Sequence, residues 1–173
     1  MMTSDRLAII VGAVLAVFLQ LVLAPYITIL SAMPNFIVVF AMIVAASRPN
    51  SYSAVLPFVL GLLYDLLTGG PVGAMAFSLT AFSYLVARLL SSLDNDTLFM
   101  PIVLMALGML LVELAYGGFL VLLGYNVGFF QALAYRIAPC FVYNLVLGII
   151  LYMLTTRLFR QAGTIHHDIT QLR

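Results

Sequence analysis

The stretch PFVLGLLYDLLTGGPVG, residues 57–73, decides how this chain folds. Proline, glycine and an acid recur in it at every fourth position: Pro57, Gly61, Asp65, Gly69 and Gly73. In a helix a step of four residues places side chains on one face, and small residues on that face let a second backbone approach closely. We predict that Pro57, Gly61 and Asp65 share such a face, and that the glycines after them end the helix and reverse the chain.

Asp65 stands in an otherwise apolar segment. Inserting an acid at the centre of a membrane costs roughly 2.5–3.5 kcal/mol on insertion scales. Its carboxylate should therefore face protein or water, and it marks either a functional site or a structural joint.

The composition indicates a membrane protein. Of the 173 residues, 65% are hydrophobic and 8% are charged, whereas soluble domains average about 45–50% apolar and 25% charged residues. A net charge of +1 does not point to a nucleic-acid partner. Cys140 is the one cysteine, which excludes a disulfide framework and paired cysteine ligands.

The hydrophobic runs predict an all-α bundle of six transmembrane helices, since each span needs about 20 apolar residues. The predicted spans are residues 7–30, 36–46, 53–68, 72–90, 98–123 and 128–156. The second is short, so it is either tilted against its neighbours or does not cross fully. We therefore divide the chain into a bundle, residues 1–156, and a short, polar, frayed tail, residues 157–173.

The arginines predict the orientation of the bundle. In a six-span arrangement, one side of the membrane carries most of the arginines, namely those at positions 6, 48, 88, 157, 160 and 173. Because basic residues collect on the cytoplasmic side, both termini are expected in the cytoplasm. A five-span arrangement loses this agreement.

Apart from Arg88, which closes the fourth span, three charged residues fall within the predicted spans: Asp65, Glu113 and Arg136. Counted at about 1.5 Å per residue, all three lie in the outer half of the bundle. Pairing reduces the desolvation that each would bear alone, so we predict that Arg136 bonds Glu113 or Asp65, with Asn144 as a further polar contact. The cluster is either a clamp between helices or the lining of an outward-opening ligand pocket.

The first span carries small residues at Ala8, Gly12 and Ala16. This spacing lets membrane helices pack tightly. The stripe is a candidate face for a partner helix, and packing within the bundle is the alternative.

No pattern in the chain supports catalysis or a cofactor. His166, His167 and Asp168 are consecutive and point in different directions on a helix, so they make a poor metal site. The glycine turn at residues 69–73 lacks the Lys-Ser/Thr that a phosphate-binding loop requires. We find no nucleophile paired with a base.

The Pro57-Gly61-Asp65-Gly69-Gly73 pattern, in the third of about six spans with short loops, resembles the rod shape-determining protein MreD family. The resemblance extends over nearly the whole chain, and its specific part is this pattern. It implies a multi-pass protein of the bacterial inner membrane that belongs to the cell-elongation machinery, or elongasome. The implied partners are MreC, the peptidoglycan synthase RodA with its transpeptidase, and indirectly the MreB cytoskeleton.

In fold, that family is similar to the substrate-binding S components of energy-coupling-factor vitamin transporters. In those proteins a small-residue stripe in the first span engages a transport partner, and an outer-half pocket holds a vitamin. Two functions follow: a non-enzymatic scaffold that binds MreC and supports regulation of peptidoglycan synthesis, or a solute-binding transporter subunit. An intramembrane enzyme is the third and least supported interpretation.

Overall fold

The computed structural model describes residues 2–28, 33–93, 99–124 and 137–171. Within these ranges the chain is all-α, as predicted. It forms α1 (Met2–Val22), α2 (Phe36–Ser47), α3 (Val55–Thr68), α4 (Ala74–Ser92), α5 (Phe99–Leu122) and α6 (Ala138–Gln171). Short 3-10 helices at Ala24–Ile27 and Pro49–Ser51 follow α1 and α2.

The shortest α-helix, α2, lies at the centre of the bundle. It packs against α1, α3, α4, α5 and α6, and nine of its twelve residues are buried. Its sequence, FIVVFAMIVAAS, is apolar on every side, which suits a helix surrounded by others. At 1.5 Å per residue α2 is about 18 Å long, so it is shorter than a membrane core of about 30 Å.

Three described helices are long and apolar enough to cross a membrane: α4, α5 and the part of α6 from Ala138 to Thr156. Shorter apolar helices of 10–17 residues cover Arg6–Val22, Phe36–Ser47 and Val55–Thr68. Large apolar side chains remain exposed along the outer faces of α1 and α3, among them Leu7, Val14, Phe58 and Leu66. Such faces match a protein that lies in lipid.

Two helix limits differ most from those that we predicted. The first helix ends at Val22 rather than near residue 30, because Pro25 follows in a 3-10 helix and proline does not continue an α-helix. The last helix continues to Gln171, whereas a frayed tail was expected from residue 157. The predicted start of that span, residues 128–136, lies outside the described residues.

Candidate functional site

The carboxylate of Asp65 caps the beginning of α4. Its Oδ2 accepts hydrogen bonds from the backbone N–H groups of Gly73 at 2.9 Å and Ala76 at 3.3 Å. The N–H of Met75 is 3.1 Å from both carboxylate oxygens. The first N–H groups of a helix have no partner within it, and the helix dipole favours a negative charge there. Asp65 has no exposed surface, so it supplies the acceptors that water would otherwise provide.

The turn after α3 brings these amide groups to Asp65. Gly69 ends α3 with φ +67°, and Gly73 precedes α4 with φ +96°. Glycine adopts such left-handed conformations without the steric cost that a side chain brings. The chain reverses direction between these two glycines. The start of α4 therefore lies beside Asp65, which is about one turn before the end of α3.

The reversed helices are packed backbone against backbone at Gly61. A Cβ atom added to this glycine would lie 2.5 Å from Cα of Ala76 and 2.8 Å from the carbonyl oxygen of Met75. Pro57 and Asp65 are buried on the same helix. Gly61 and Asp65, two of the three residues of the predicted shared face, therefore both contact the start of α4.

A second polar cap covers the beginning of α2. The N–H of Asn35 donates to Oδ1 of Asn144 at 2.7 Å, and the N–H of Phe36 donates to Oε1 of Gln20 at 2.8 Å. The side chain of Asn35 accepts from the N–H of Val38 at 3.1 Å. Three amide side chains, from α1, α6 and the chain before α2, thus serve the N–H groups of one buried helix end.

Glu113 of α5 holds Asn144 in place. The Nδ2 group of Asn144 donates to Oε1 of Glu113 at 3.0 Å. A carboxylate oxygen accepts and a backbone N–H donates, so the two partners together determine which way the Asn144 amide faces. Asn144 has no exposed surface and Glu113 is 9% exposed. This chain of contacts connects α5 and α6 to the start of α2.

Two tyrosines pack between α3 and α5. The rings of Tyr64 and Tyr116 meet edge to face with their centroids 6.0 Å apart. A Cβ added to Gly70 would lie 2.5 Å from the hydroxyl of Tyr116, so the turn after α3 also passes close to α5. These contacts hold the turn that carries the Asp65 cap.

The residues of the predicted polar cluster have different partners in the structure. The structure joins Glu113 to Asn144, whereas the carboxylate of Asp65 binds the backbone of α4. Arg136 lies outside the described residues, so its predicted bond to Glu113 or Asp65 stays a prediction.

The three small residues of the stripe in α1 differ in their surroundings. A Cβ on Gly12 would lie 2.5 Å from the ring of Phe40 in α2, and Ala16 is 5% exposed. Both positions therefore face the interior of the bundle. Ala8 is exposed.

Sequence reasoning missed Gln20 and Asn35 as structural residues. A signal was present, since Gln20 interrupts the apolar run of the first span and Asn35 precedes that of the second. Amide side chains at such places are ready caps for helix ends in a membrane.

The arrangement of these polar side chains is suited to holding helices together. Among the described residues no three His, Cys, Asp or Glu side chains lie together as a metal site. The described hydrogen bonds of Asp65 and Asn144 go to helix N–H groups and to Glu113.

Comparison with known proteins identifies the family. Searches among curated proteins and among solved structures find no match. The family model described as rod shape-determining protein MreD matches residues 3–162, a range that includes both capped helix ends and runs from the start of α1 through most of α6. The chain therefore belongs to the rod shape-determining protein MreD family.

Proposed function

We propose that this protein is a non-enzymatic membrane scaffold of the bacterial cell-elongation complex, and that it binds MreC and supports the regulation of peptidoglycan synthesis. Its family is rod shape-determining. The observation that carries the scaffold proposal is the use of the interior polar side chains: Asp65 and Asn144 bind helix N–H groups. These hydrogen bonds fix the helices relative to one another, and a surface that binds a partner needs such fixed helices.

The proposed topology has six spans, with both termini in the cytoplasm of a bacterium and the bundle in the inner membrane. Arg6 and Arg48 line one groove together, so two of the arginines that predict the cytoplasmic side lie at the same end of the bundle. The part of α6 beyond residue 156 would then be cytoplasmic.

We place the MreC contact on the outer faces of α1 and α3. In a membrane, helices associate by close packing rather than by hydrophobicity. Of the small-residue stripe only Ala8 is exposed, but α1 also presents Val14 and α3 presents Phe58 to the outside. RodA and its transpeptidase would be reached through MreC, and MreB indirectly.

The solute-binding alternative requires polar side chains that line a cavity open to the outside. Asp65 has instead no exposed surface and accepts from three backbone N–H groups, those of Gly73 just before α4 and of Met75 and Ala76 in its first turn. This use of the acid supports the scaffold over the transporter subunit.

Co-purification with MreC and disulfide crosslinking test the proposal. In a Cys140→Ala background, a cysteine at Val14 or Phe58, which are 65% and 49% exposed, is paired with cysteines placed along the span of MreC. We expect crosslinks from at least one of these outer positions, repeating every three or four residues along the partner helix.

Buried positions on the same two helices are the matched controls. Ala16→Cys and Leu60→Cys, where the native residues are 5% and 3% exposed, should give no crosslink. The scaffold proposal is wrong if MreC fails to co-purify with the intact chain. The choice of face is wrong if MreC co-purifies but neither outer position crosslinks.

A further inference from the structure

Two grooves meet at the end of the bundle that carries Arg6 and Arg48. The first has a volume of about 280 Å³ and is lined by both arginines, by the loop residues 51–53 and by Leu56. The second has a volume of about 230 Å³ and extends between α1 and α2 as far as Gly12 and Phe40. Ile9, Val44 and Arg48 line both.

The second groove is apolar along its length and polar at its mouth. Ile9, Gly12, Phe40 and Ile43 are among its apolar lining residues. Its polar lining residues are Ser47 and Arg48, at the end of α2, and Thr155, and we call this polar part the mouth. From Phe40 to Arg48 is about 12 Å along α2 at 1.5 Å per residue. This length accommodates several methylene groups below a polar head.

The described charged residues that line the two grooves are Arg6 and Arg48. Arg6 comes from α1 and Arg48 from the end of α2, and no described residue lining either groove is acidic. Guanidinium groups bind phosphate with two parallel hydrogen bonds, and Ser51 and Ser53 add hydroxyl donors in the first groove. Basic pockets between helices at a membrane surface are suited to anionic lipid headgroups.

We propose that these adjoining grooves form a binding site for one anionic phospholipid. Arg6 and Arg48 hold its phosphate, and an acyl chain lies in the apolar groove beside Ala8 and Gly12. The combination of a cationic mouth with an apolar groove selects a lipid over a free anion, which has no chain to fill the groove. The site is separate from the caps at Asp65 and Asn144.

The test measures lipid binding to the purified full-length protein, stripped of lipid in a neutral detergent, by native mass spectrometry. Phosphatidylglycerol is titrated against phosphatidylcholine with the same acyl chains, and inorganic phosphate is a third arm. We expect one phosphatidylglycerol per chain, bound at least fivefold more tightly than phosphatidylcholine.

Two variants probe the two halves of the site. Arg6→Gln removes one cation from an exposed position and should weaken phosphatidylglycerol binding about fivefold. Ala8→Leu fills the apolar groove and should weaken it by a similar factor without disturbing the buried core, since Ala8 is exposed.

The matched controls are Arg88→Gln and Val11→Leu, which change exposed residues outside both grooves and should leave binding unchanged. Equal weakening by Arg6→Gln and Arg88→Gln would mean general attraction to basic helix ends and would overturn the site. Equal binding of both lipids, or competition by inorganic phosphate at the same concentration as the lipid, would also overturn it.

Discussion

Asp65 and Asn144 meet the same physical demand, because each serves the first N–H groups of a helix that begins away from water. A backbone N–H without a partner costs several kcal/mol in hydrocarbon. Asp65 supplies a carboxylate to α4, and Asn144 supplies an amide oxygen to the residue that caps α2. At the scale of single residues, these two side chains therefore complete the backbone hydrogen bonding at the start of α4 and of α2.

Replacing Asp65 by asparagine should lower the free energy of unfolding by about 2 kcal/mol. Asparagine keeps one acceptor oxygen, but its NH₂ group would face N–H groups of Gly73, Met75 or Ala76. Unfolding of the detergent-solubilised protein by a denaturing detergent measures the change. Ser92→Ala is the control, since it removes an exposed hydrogen bond to the carbonyl of Arg88 and should change stability by less than about 0.5 kcal/mol. Equal effects of the two substitutions would mean that the carboxylate does not stabilise α4.

Replacing Gly61 by alanine should destabilise the protein by about 2 kcal/mol. The new methyl group would collide with the backbone of Ala76, which cannot move aside as a flexible side chain can, so α3 and α4 would separate. Gly118→Ala in α5 is the matched control, because a Cβ there meets nothing within 4 Å. That change should be neutral or slightly stabilising, by up to about 1 kcal/mol. Thermal unfolding of both variants distinguishes them, and a neutral Gly61→Ala would refute the close contact.

At the scale of elements, α2 is the helix on which the others converge. Its start is served by Gln20 of α1 and Asn144 of α6, and Asn144 is in turn held by Glu113 of α5. Arrangements of this kind bring together helices that have no hydrophobic force between them in lipid. The beginning of α2 is therefore the joint at which three other helices meet by hydrogen bonding.

The two amides of this joint should differ in their contribution to stability. Asn144→Leu leaves the N–H of Asn35 without its acceptor and removes a donor to Glu113, so we expect a loss of about 2–3 kcal/mol. Gln20→Leu removes one bond, from Phe36, and Nε2 of Gln20 has no partner among the described residues. Its loss should be about 1 kcal/mol. Denaturing-detergent titrations of both variants give the order, and a larger effect at Gln20 would contradict the proposed joint.

At the scale of the whole molecule, the described loop after α2 and the described turn after α3 differ in charge. The loop after α2 carries Arg48 beside Arg6, and the turn after α3 carries glycines and Pro71. The 14-residue helix α3 separates them by about 21 Å at 1.5 Å per residue. In the proposed topology the loop lies in the cytoplasm and the turn faces outward.

Thiol labelling of intact cells tests this orientation. In a Cys140→Ala background, a cysteine at Val72, which is 68% exposed, should react with a membrane-impermeant reagent. A cysteine at the exposed Ser51 should react only after the membrane is permeabilised, because basic loops remain in the cytoplasm. The reverse pattern would invert the topology, and labelling of both without permeabilisation would contradict it.

The sequence alone determined the class of the protein, the helices to within a few residues at most ends, and the reversal at residues 69–73. These features depend on local causes: apolar composition, proline, and glycines that tolerate positive φ. The sequence also indicated that Pro57, Gly61 and Asp65 face another helix, because helical periodicity is a local property. The same local pattern carried the resemblance to the MreD family.

The tertiary structure alone decided which partners the polar residues have and which apolar faces are buried. Asn144 meets the N–H of Asn35 across 109 residues of sequence, and no spacing rule connects two positions so far apart. The helix α2 is buried on nearly every side while the face of α1 that carries Val14 is exposed, although the run from Leu7 to Leu19 in α1 is also apolar throughout. Lipid and protein interior are both hydrocarbon-like surroundings, so hydrophobicity cannot distinguish them, and only the packed arrangement of the helices does.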